Sequence, residues 1–127
     1  MKHQIATTPE QSRRLIACGV NPDSADMCYV GGWSPVCAIP FSKCNKEDTP
    51  AWSLSALLEL LPMEVNEEGL QTVFHLTCYP DELKWAAEYY DYAMDKHLCS
   101  ERDYTPIVAC VKAIEWLTAN GYTLNTK

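Results

Sequence analysis

A Thr-Pro pair occurs three times in the chain, at Thr8-Pro9, Thr49-Pro50 and Thr105-Pro106, each time shortly before an apolar pattern with helical spacing. A threonine side chain can cap the free N–H groups of a first helical turn, and proline at the first helical position loses no hydrogen bond that it would otherwise make. The three pairs therefore predict three helix starts. This repeated signal constrains the fold more than any other feature of the sequence.

The first helix is predicted over residues 9–18. Thr8 and Gln11 have the spacing of a capping box, in which each residue satisfies a backbone N–H of the other. Gly19 can adopt the left-handed conformation that ends a helix. The third helix is predicted to begin at Thr105-Pro106 and to end at Asn120-Gly121. The apolar face of this third helix consists of Ile107, Cys110, Val111, Ile114 and Leu117.

The second helix is predicted to begin at Thr49-Pro50 and to stop at Pro62. Leucines at i, i+3, i+4 and i+7 form a stripe that must face a core. These leucines are Leu54, Leu57, Leu58 and Leu61.

Two β-hairpins are predicted between the helices. Residues 27–30 and 36–41 are short β-prone runs on either side of a Gly-Gly turn, and residues 42–48 form a polar surface loop. Residues 70–78 alternate with a period of two and predict another strand. The next segment, 84–92, is ambiguous, since its Ala and Glu content favours a helix whereas its Trp and three Tyr favour a strand paired with 70–78.

Taking 84–92 as a strand, the sequence predicts an α+β fold in which three helices pack on a small, mainly antiparallel sheet, in the order α-ββ-α-ββ-α. A length of 127 residues predicts a single domain over 1–127. The formal charge of −7 argues against a basic surface that binds nucleic acid directly. Neither a secretory signal nor a membrane-length apolar run is found, so we expect a soluble, cytoplasmic protein without membrane contact. Exposed strand edges could pair into a dimer or could be covered, which leaves the oligomeric state open.

The seven cysteines are an odd number and cannot all pair internally. Without a secretory signal, we expect reduced thiols, most of them buried as small hydrophobic residues. No two cysteines have the close spacing of a typical zinc site, so we expect no metal. The least unfavourable ligand set is Cys28, Cys37, Cys44 and His75.

No catalytic or cofactor-binding residue is predicted. The chain contains no glycine-rich phosphate loop, which argues against a nucleotide cofactor. His97 is the better partner for a cysteine nucleophile, because His97 and Cys99 would share one face of a strand. An isolated Cys/His pair is more often structural than catalytic, so we expect a protein that is not an enzyme. The acidic pairs Glu67-Glu68 and Asp81-Glu82 are interpreted as solvated charge.

The aromatic residues are the strongest candidates for a binding surface. Trp33 lies in the Gly-rich turn, where burial within the same domain is difficult, and large aromatic side chains often anchor interfaces. Along 84–92, Trp85 and Tyr89 alternate with Tyr90 and Tyr92, so one face of the strand carries rings that a core does not need. The predicted partner-contact residues are Trp33, Trp85, Tyr89, Tyr90 and Tyr92.

Three segments of the sequence, 8–27, 49–62 and 114–122, resemble small phage-related or mobile-element proteins of Bacteroides-type gut anaerobes. The resemblance carries over no activity, cofactor or catalytic residue. It implies a phage-type or mobile-element accessory protein of one domain, and it supports a strand over 84–92, because a Trp followed by Tyr residues there is similar to the strand before the last helix of such proteins.

Together these observations predict a non-enzymatic prophage or mobile-element protein that binds another, unidentified protein through its aromatic strand face and the Trp33 turn. The alternative is an acidic inhibitor that mimics nucleic acid and occupies the basic groove of a nucleic-acid enzyme. Its charge of −7 is modest for such a mimic.

Overall fold

The computed structural model describes residues 4–30 and 48–125. It has three helices and two antiparallel sheets, which confirms the predicted α+β class. In chain order the elements are α1 (Pro9–Ala17), a 3₁₀ turn (Pro22–Ser24), β1 (Met27–Tyr29), β2 (Thr49–Ala51), α2 (Leu54–Leu60), β3 (Glu64–Glu67), β4 (Leu70–Tyr79), β5 (Lys84–Asp91), β6 (Lys96–Asp103) and α3 (Pro106–Ala119).

The first and third helices begin where the Thr-Pro pairs predict. Thr8 and Gln11 form a complete capping box at the start of α1, and the Thr105 hydroxyl accepts a hydrogen bond from the Val108 N–H at the start of α3. Gly19 and Gly121 have φ of 96° and 82°, the left-handed conformation expected after a helix. Local capping chemistry therefore accounts for where both helices begin.

The second helix begins later than predicted. Thr49–Ala51 is strand β2, and Ser53 caps the helix by accepting from the Ala56 N–H. The prediction of a helix start at Thr49-Pro50 is wrong because these residues pair with β1 instead. The buried face also differs from the predicted leucine stripe, because Leu57, Leu60 and Leu61 are buried while Leu58 is exposed.

Strand β1 confirms the strand expected at 27–30, but its partner among the described residues is β2, with Cys28 opposite Pro50. The second predicted strand of that hairpin, 36–41, and most of the predicted loop at 42–48 lie outside the described residues. Segment 84–92 is a strand, β5, as predicted, and it pairs with β4. Strands β3 and β6 were not predicted, and they extend this hairpin to a four-stranded sheet in the order β3-β4-β5-β6.

The main core lies between the three helices and one face of the four-stranded sheet. Helix α3 contacts β5 and β6, and α1 and α2 contact α3. Tyr89 is fully buried in this core, and its hydroxyl donates to the Pro62 carbonyl at 2.8 Å. The largest fully buried apolar side chains of the core are Trp52, Tyr89, Leu15, Leu57, Ile114 and Leu117.

The helices are short for membrane insertion. The longest described helix, α3, has 14 residues. No helix within 4–30 and 48–125 has both the length and the apolar content needed to cross a bilayer.

Candidate functional site

One face of the four-stranded sheet points toward α3, and the opposite face, which we call the outer face, points away from it. Side chains alternate between the two faces along a strand. Since Ala87 and Tyr89 lie in the core, Glu88 and Tyr90 lie on the outer face. The register places His75 of β4 directly opposite Glu88, and therefore on the same face.

Glu88 is fully buried although it lies on the outer face. The Tyr79 hydroxyl lies 3.0 Å from Oε1 and 3.1 Å from Oε2, and the Ser100 hydroxyl donates to Oε2 at 2.7 Å. Nε2 of His97 lies 3.0 Å from the same Oε2. Burial of a carboxylate is costly unless hydrogen bonds replace its lost hydration. Three side chains from β4 and β6 provide that replacement.

A β-bulge in β6 brings His97 to Glu88. Tyr89 pairs with Cys99, but the next residue, Tyr90, pairs with His97, so Leu98 is an additional residue in β6. The extra residue reverses the alternation, which leaves Cys99 in the core and His97 on the outer face. The prediction that His97 and Cys99 share a strand face is therefore wrong.

A second histidine lies on the β4 side of Glu88. Nδ1 of His75 is 2.9 Å from the Thr77 hydroxyl oxygen and 3.8 Å from Oε1 of Glu88. Nε2 of His75 is buried and has no hydrogen-bond partner among the described residues. The imidazole is therefore held between the Thr77 hydroxyl and the neighbouring aromatic rings.

Four rings form an aromatic cluster on the outer face: His75, Tyr90, Tyr92 and His97. The Tyr90 ring is central, with centroids 4.9 Å from Tyr92, 4.8 Å from His97 and 6.0 Å from His75. Tyr90 and Tyr92 meet edge to face at 86°, a favourable arrangement for aromatic pairs. The Tyr90 hydroxyl donates to Asp95, whereas the Tyr92 side chain remains 71% exposed.

The far end of the outer face contains a charged pair. Arg102 forms an ion pair with Glu82, and its guanidinium lies 4.2 Å from the centroid of the Tyr79 ring. Burial, followed by the hydrogen bond to Glu88, raises the pKa of Tyr79. Tyr79 is therefore a protonated donor to Glu88 at neutral pH.

The described cysteines do not contribute a nucleophile to this face. Burial raises the pKa of Cys99 and of Cys110 to about 12, so both are neutral thiols under ordinary conditions. Cys78 is exposed, but it alternates with His75 and Thr77 and so lies on the opposite face of β4. The described residues therefore bring no reactive thiol to Glu88 or His97.

Cys28 is not a reduced thiol. Cys28 is disulfide-bonded, so the expectation of reduced cysteines is wrong at this position. An odd number of cysteines excludes complete pairing, but it does not exclude a single bond. A sulfur held in a disulfide is not a zinc ligand, and Cys37 and Cys44 of the suggested ligand set lie outside the described residues. The described part of the chain contains no group of three or more residues that could hold a metal ion.

The predicted contact residues occupy different environments. Tyr89 is fully buried and Trp85 packs half-buried against the core, so neither ring is presented on the outer face. We therefore correct the predicted contact set by removing Tyr89, which has no surface for a partner to touch. Tyr90 and Tyr92 lie on the outer face, and Trp33 lies outside the described residues.

Sequence reasoning missed Glu88 and its donors Tyr79 and Ser100. The antiparallel pairing of 70–78 with 84–92 was available as a signal, because a tight hairpin places His75 near Glu88. The contributions of Ser100 and His97 could not be anticipated, because strand β6 and its bulge were not predicted.

No family model, curated protein or solved structure matches the chain. The resemblance to phage-related proteins therefore stays a prediction. The function is argued below from the geometry of the outer face.

Proposed function

We propose that the chain is a non-enzymatic, cytoplasmic binding domain that contacts another protein through its outer face, with Tyr92 as the main contact. The observation that carries the proposal is the exposure of Tyr92, 71%, together with its packing against Tyr90 and His75. An ordered, exposed aromatic ring loses little conformational entropy on binding and buries a large area. The resemblance to mobile-element proteins favours a partner from the same biological setting.

The burial and the contacts of Glu88 support a binding function rather than a catalytic one. Its carboxylate is fully buried and is already contacted by Tyr79, Ser100 and His97. A general acid or base must come within hydrogen-bond reach of the group that it protonates or deprotonates. Glu88 satisfies this condition only if its surrounding side chains move. Glu88 instead holds His97, a member of the aromatic cluster, in position.

The test is affinity capture with matched variants. The tagged wild-type protein, Tyr92→Ala and Tyr104→Ala are incubated with nuclease-treated lysate of the source cells at low and high salt. Tyr104 is the control, because its exposure of 70% is close to the 71% of Tyr92, while it lies next to β6 at the opposite end of the sheet. We expect Tyr104→Ala to capture the same partner as the wild type and Tyr92→Ala to lose it. Equal capture by both variants contradicts the proposal.

A second candidate function, an acidic mimic of nucleic acid, is favoured by one observation. Between Lys46 and Lys84 the chain has eight acidic residues and no lysine or arginine. Three of these carboxylates, Glu64, Glu67 and Glu68, are exposed on β3 and the turn after it. A mimic should lose its partner in high salt and in competition with nucleic acid. A triple Glu→Gln variant at these positions should also lose it, whereas Tyr92→Ala should not.

A further inference from the structure

A cleft of about 540 Å³ lies beside Tyr92, between the turn that joins β3 to β4 and the turn that joins β5 to β6. Tyr92 and Met94 line it from the β5–β6 turn. Leu70 and Val73 of β4 and Glu67 of β3 line it from the other side. The cleft therefore adjoins the aromatic cluster.

We propose that this cleft and the Tyr92 ring receive the side chain of an arginine or lysine from the partner protein. The inference rests on the proposed function and specifies the chemistry of the partner. Charge complementarity, the exposure of Tyr92 and the apolar residues of the cleft each support it.

The charge of the lining favours a cation. Among the described residues, the lining includes two acidic residues, Glu67 and Asp91, together with Asn66 and Gln71, and no lysine, arginine or histidine. Backbone N–H groups of Gln71, Met94 and Ala93 lower the pKa of Asp91, which therefore remains ionised. An anionic guest would meet two like charges, whereas a cationic guest meets opposite ones.

The tyrosines of the sheet provide an internal comparison. Arg102 lies over the ring of Tyr79, and Nζ of Lys84 lies 5.3 Å from the centroid of Tyr104. Tyr92 is as exposed as Tyr104, but within 4–30 and 48–125 no lysine or arginine lies over its ring. A cation from a partner would complete at Tyr92 the interaction that the chain makes internally at the other two rings.

The walls of the cleft suit the stem of such a side chain. Leu70, Val73 and Met94 provide apolar surface next to the carboxylates. Arginine and lysine have apolar methylene stems that pack along such surface while the charged head contacts polar groups. A metal ion lacks this apolar portion and requires several converging oxygen ligands.

The probe is a short blocked peptide, Gly-Arg-Gly, compared with the same peptide carrying citrulline, which preserves the shape and removes the charge. Binding is measured by NMR titration of the labelled full chain. We expect the arginine peptide to shift the backbone resonances of Tyr92, Ala93 and Met94, and the citrulline peptide to bind at least about fivefold more weakly.

Variants at position 92 test the contribution of the aromatic ring to peptide binding. We expect Tyr92→Phe, which retains the aromatic face, to bind within about twofold of the wild type, and Tyr92→Leu to bind at least about fivefold more weakly. Tyr104→Leu should bind as the wild type does. Since Tyr92 is exposed, Tyr92→Leu is expected to fold, and its NMR spectrum verifies this directly.

Three results would overturn the inference: equal binding of the arginine and citrulline peptides, resonance shifts confined to another surface, or no binding at about 10 mM peptide, a concentration sufficient to detect millimolar affinity. If any of these occurs while lysate capture still depends on Tyr92, only the inference about a cationic side chain fails. If capture does not depend on Tyr92, the proposed function fails independently of the peptide result.

Discussion

Nε2 of His97 lies 3.0 Å from Oε2 of Glu88, a carboxylate with no exposed surface. The contact exists because Leu98 forms a bulge that reverses the alternation of β6. The same histidine ring packs against Tyr90, which in turn packs against Tyr92. The buried Glu88 carboxylate is therefore connected, through His97 and Tyr90, to the ring that we assign to partner contact.

Removal of the Glu88 carboxylate should destabilise the fold. Glu88→Ala leaves two half-buried hydroxyls and His97 without their buried acceptor, and we expect a loss of about 3 kcal/mol in the free energy of unfolding. Glu82→Ala, which breaks an exposed ion pair with Arg102, should cost less than about 1 kcal/mol. Urea denaturation monitored by tryptophan fluorescence measures both values. Equal losses would show that the network around Glu88 contributes little.

Tyr89 and Tyr92 should respond oppositely to truncation. Tyr89→Ala removes a fully buried ring and should cost about 4 kcal/mol of stability, whereas Tyr92→Ala should change stability by less than about 0.5 kcal/mol. Tyr89→Phe removes only the hydrogen bond to Pro62 and should cost about 1 kcal/mol. Thermal or urea unfolding of the three variants distinguishes a core ring from a surface ring. A large loss in Tyr92→Ala would indicate that Tyr92 supports the fold.

The described free cysteines should differ in reactivity. Cys78 is exposed and should react with a maleimide at about pH 8, whereas Cys99 and Cys110 are buried and have pKa values raised to about 12. We expect these two to be labelled only at the rate of global or local unfolding. Peptide mapping by mass spectrometry gives the rate at each position. Rapid labelling of Cys110 in the native protein would contradict the observed core.

Asp91 should make stability depend on acid pH. Its side chain accepts hydrogen bonds from the N–H groups of Gln71, Ala93 and Met94, and these lower its pKa from the usual 3.8. Because the folded state holds the proton less tightly, the stabilisation is present above about pH 4 and disappears as the pH falls through the lowered pKa. Asp91→Asn should lower the urea midpoint at neutral pH and reduce the loss of stability on acidification. If the stability of Asp91→Asn depended on pH as that of the wild type does, Asp91 would not be the cause of the acid sensitivity.

The sequence was sufficient where local chemistry determines structure. The capping box at Thr8 and the cap at Thr105 depend on residues within one turn, and both helices begin as predicted. Thr49-Pro50 has the same sequence signature but forms a strand, because its pairing with β1 is a long-range interaction that capping rules do not include. Local signals therefore located two of the three helix starts.

The candidate site required long-range information. Alternation along β5 correctly separated Tyr90 from Tyr89, but it could not show which face the helices cover. Glu88 resembled a surface residue, because the side chains that bury it come from β4 and β6. The bulge at Leu98 depends on the pairing with β5, and so the approach of His97 was not predictable from spacing.

The most direct test of partner contact through Tyr92 is site-specific photocrosslinking. Tyr92 and, separately, Tyr104 are replaced by p-benzoylphenylalanine in the full chain, and each protein is irradiated in lysate of the source cells. The account predicts a discrete adduct with a second protein from position 92 and none from position 104. Absence of an adduct at position 92, or the same adducts at both positions, would contradict it.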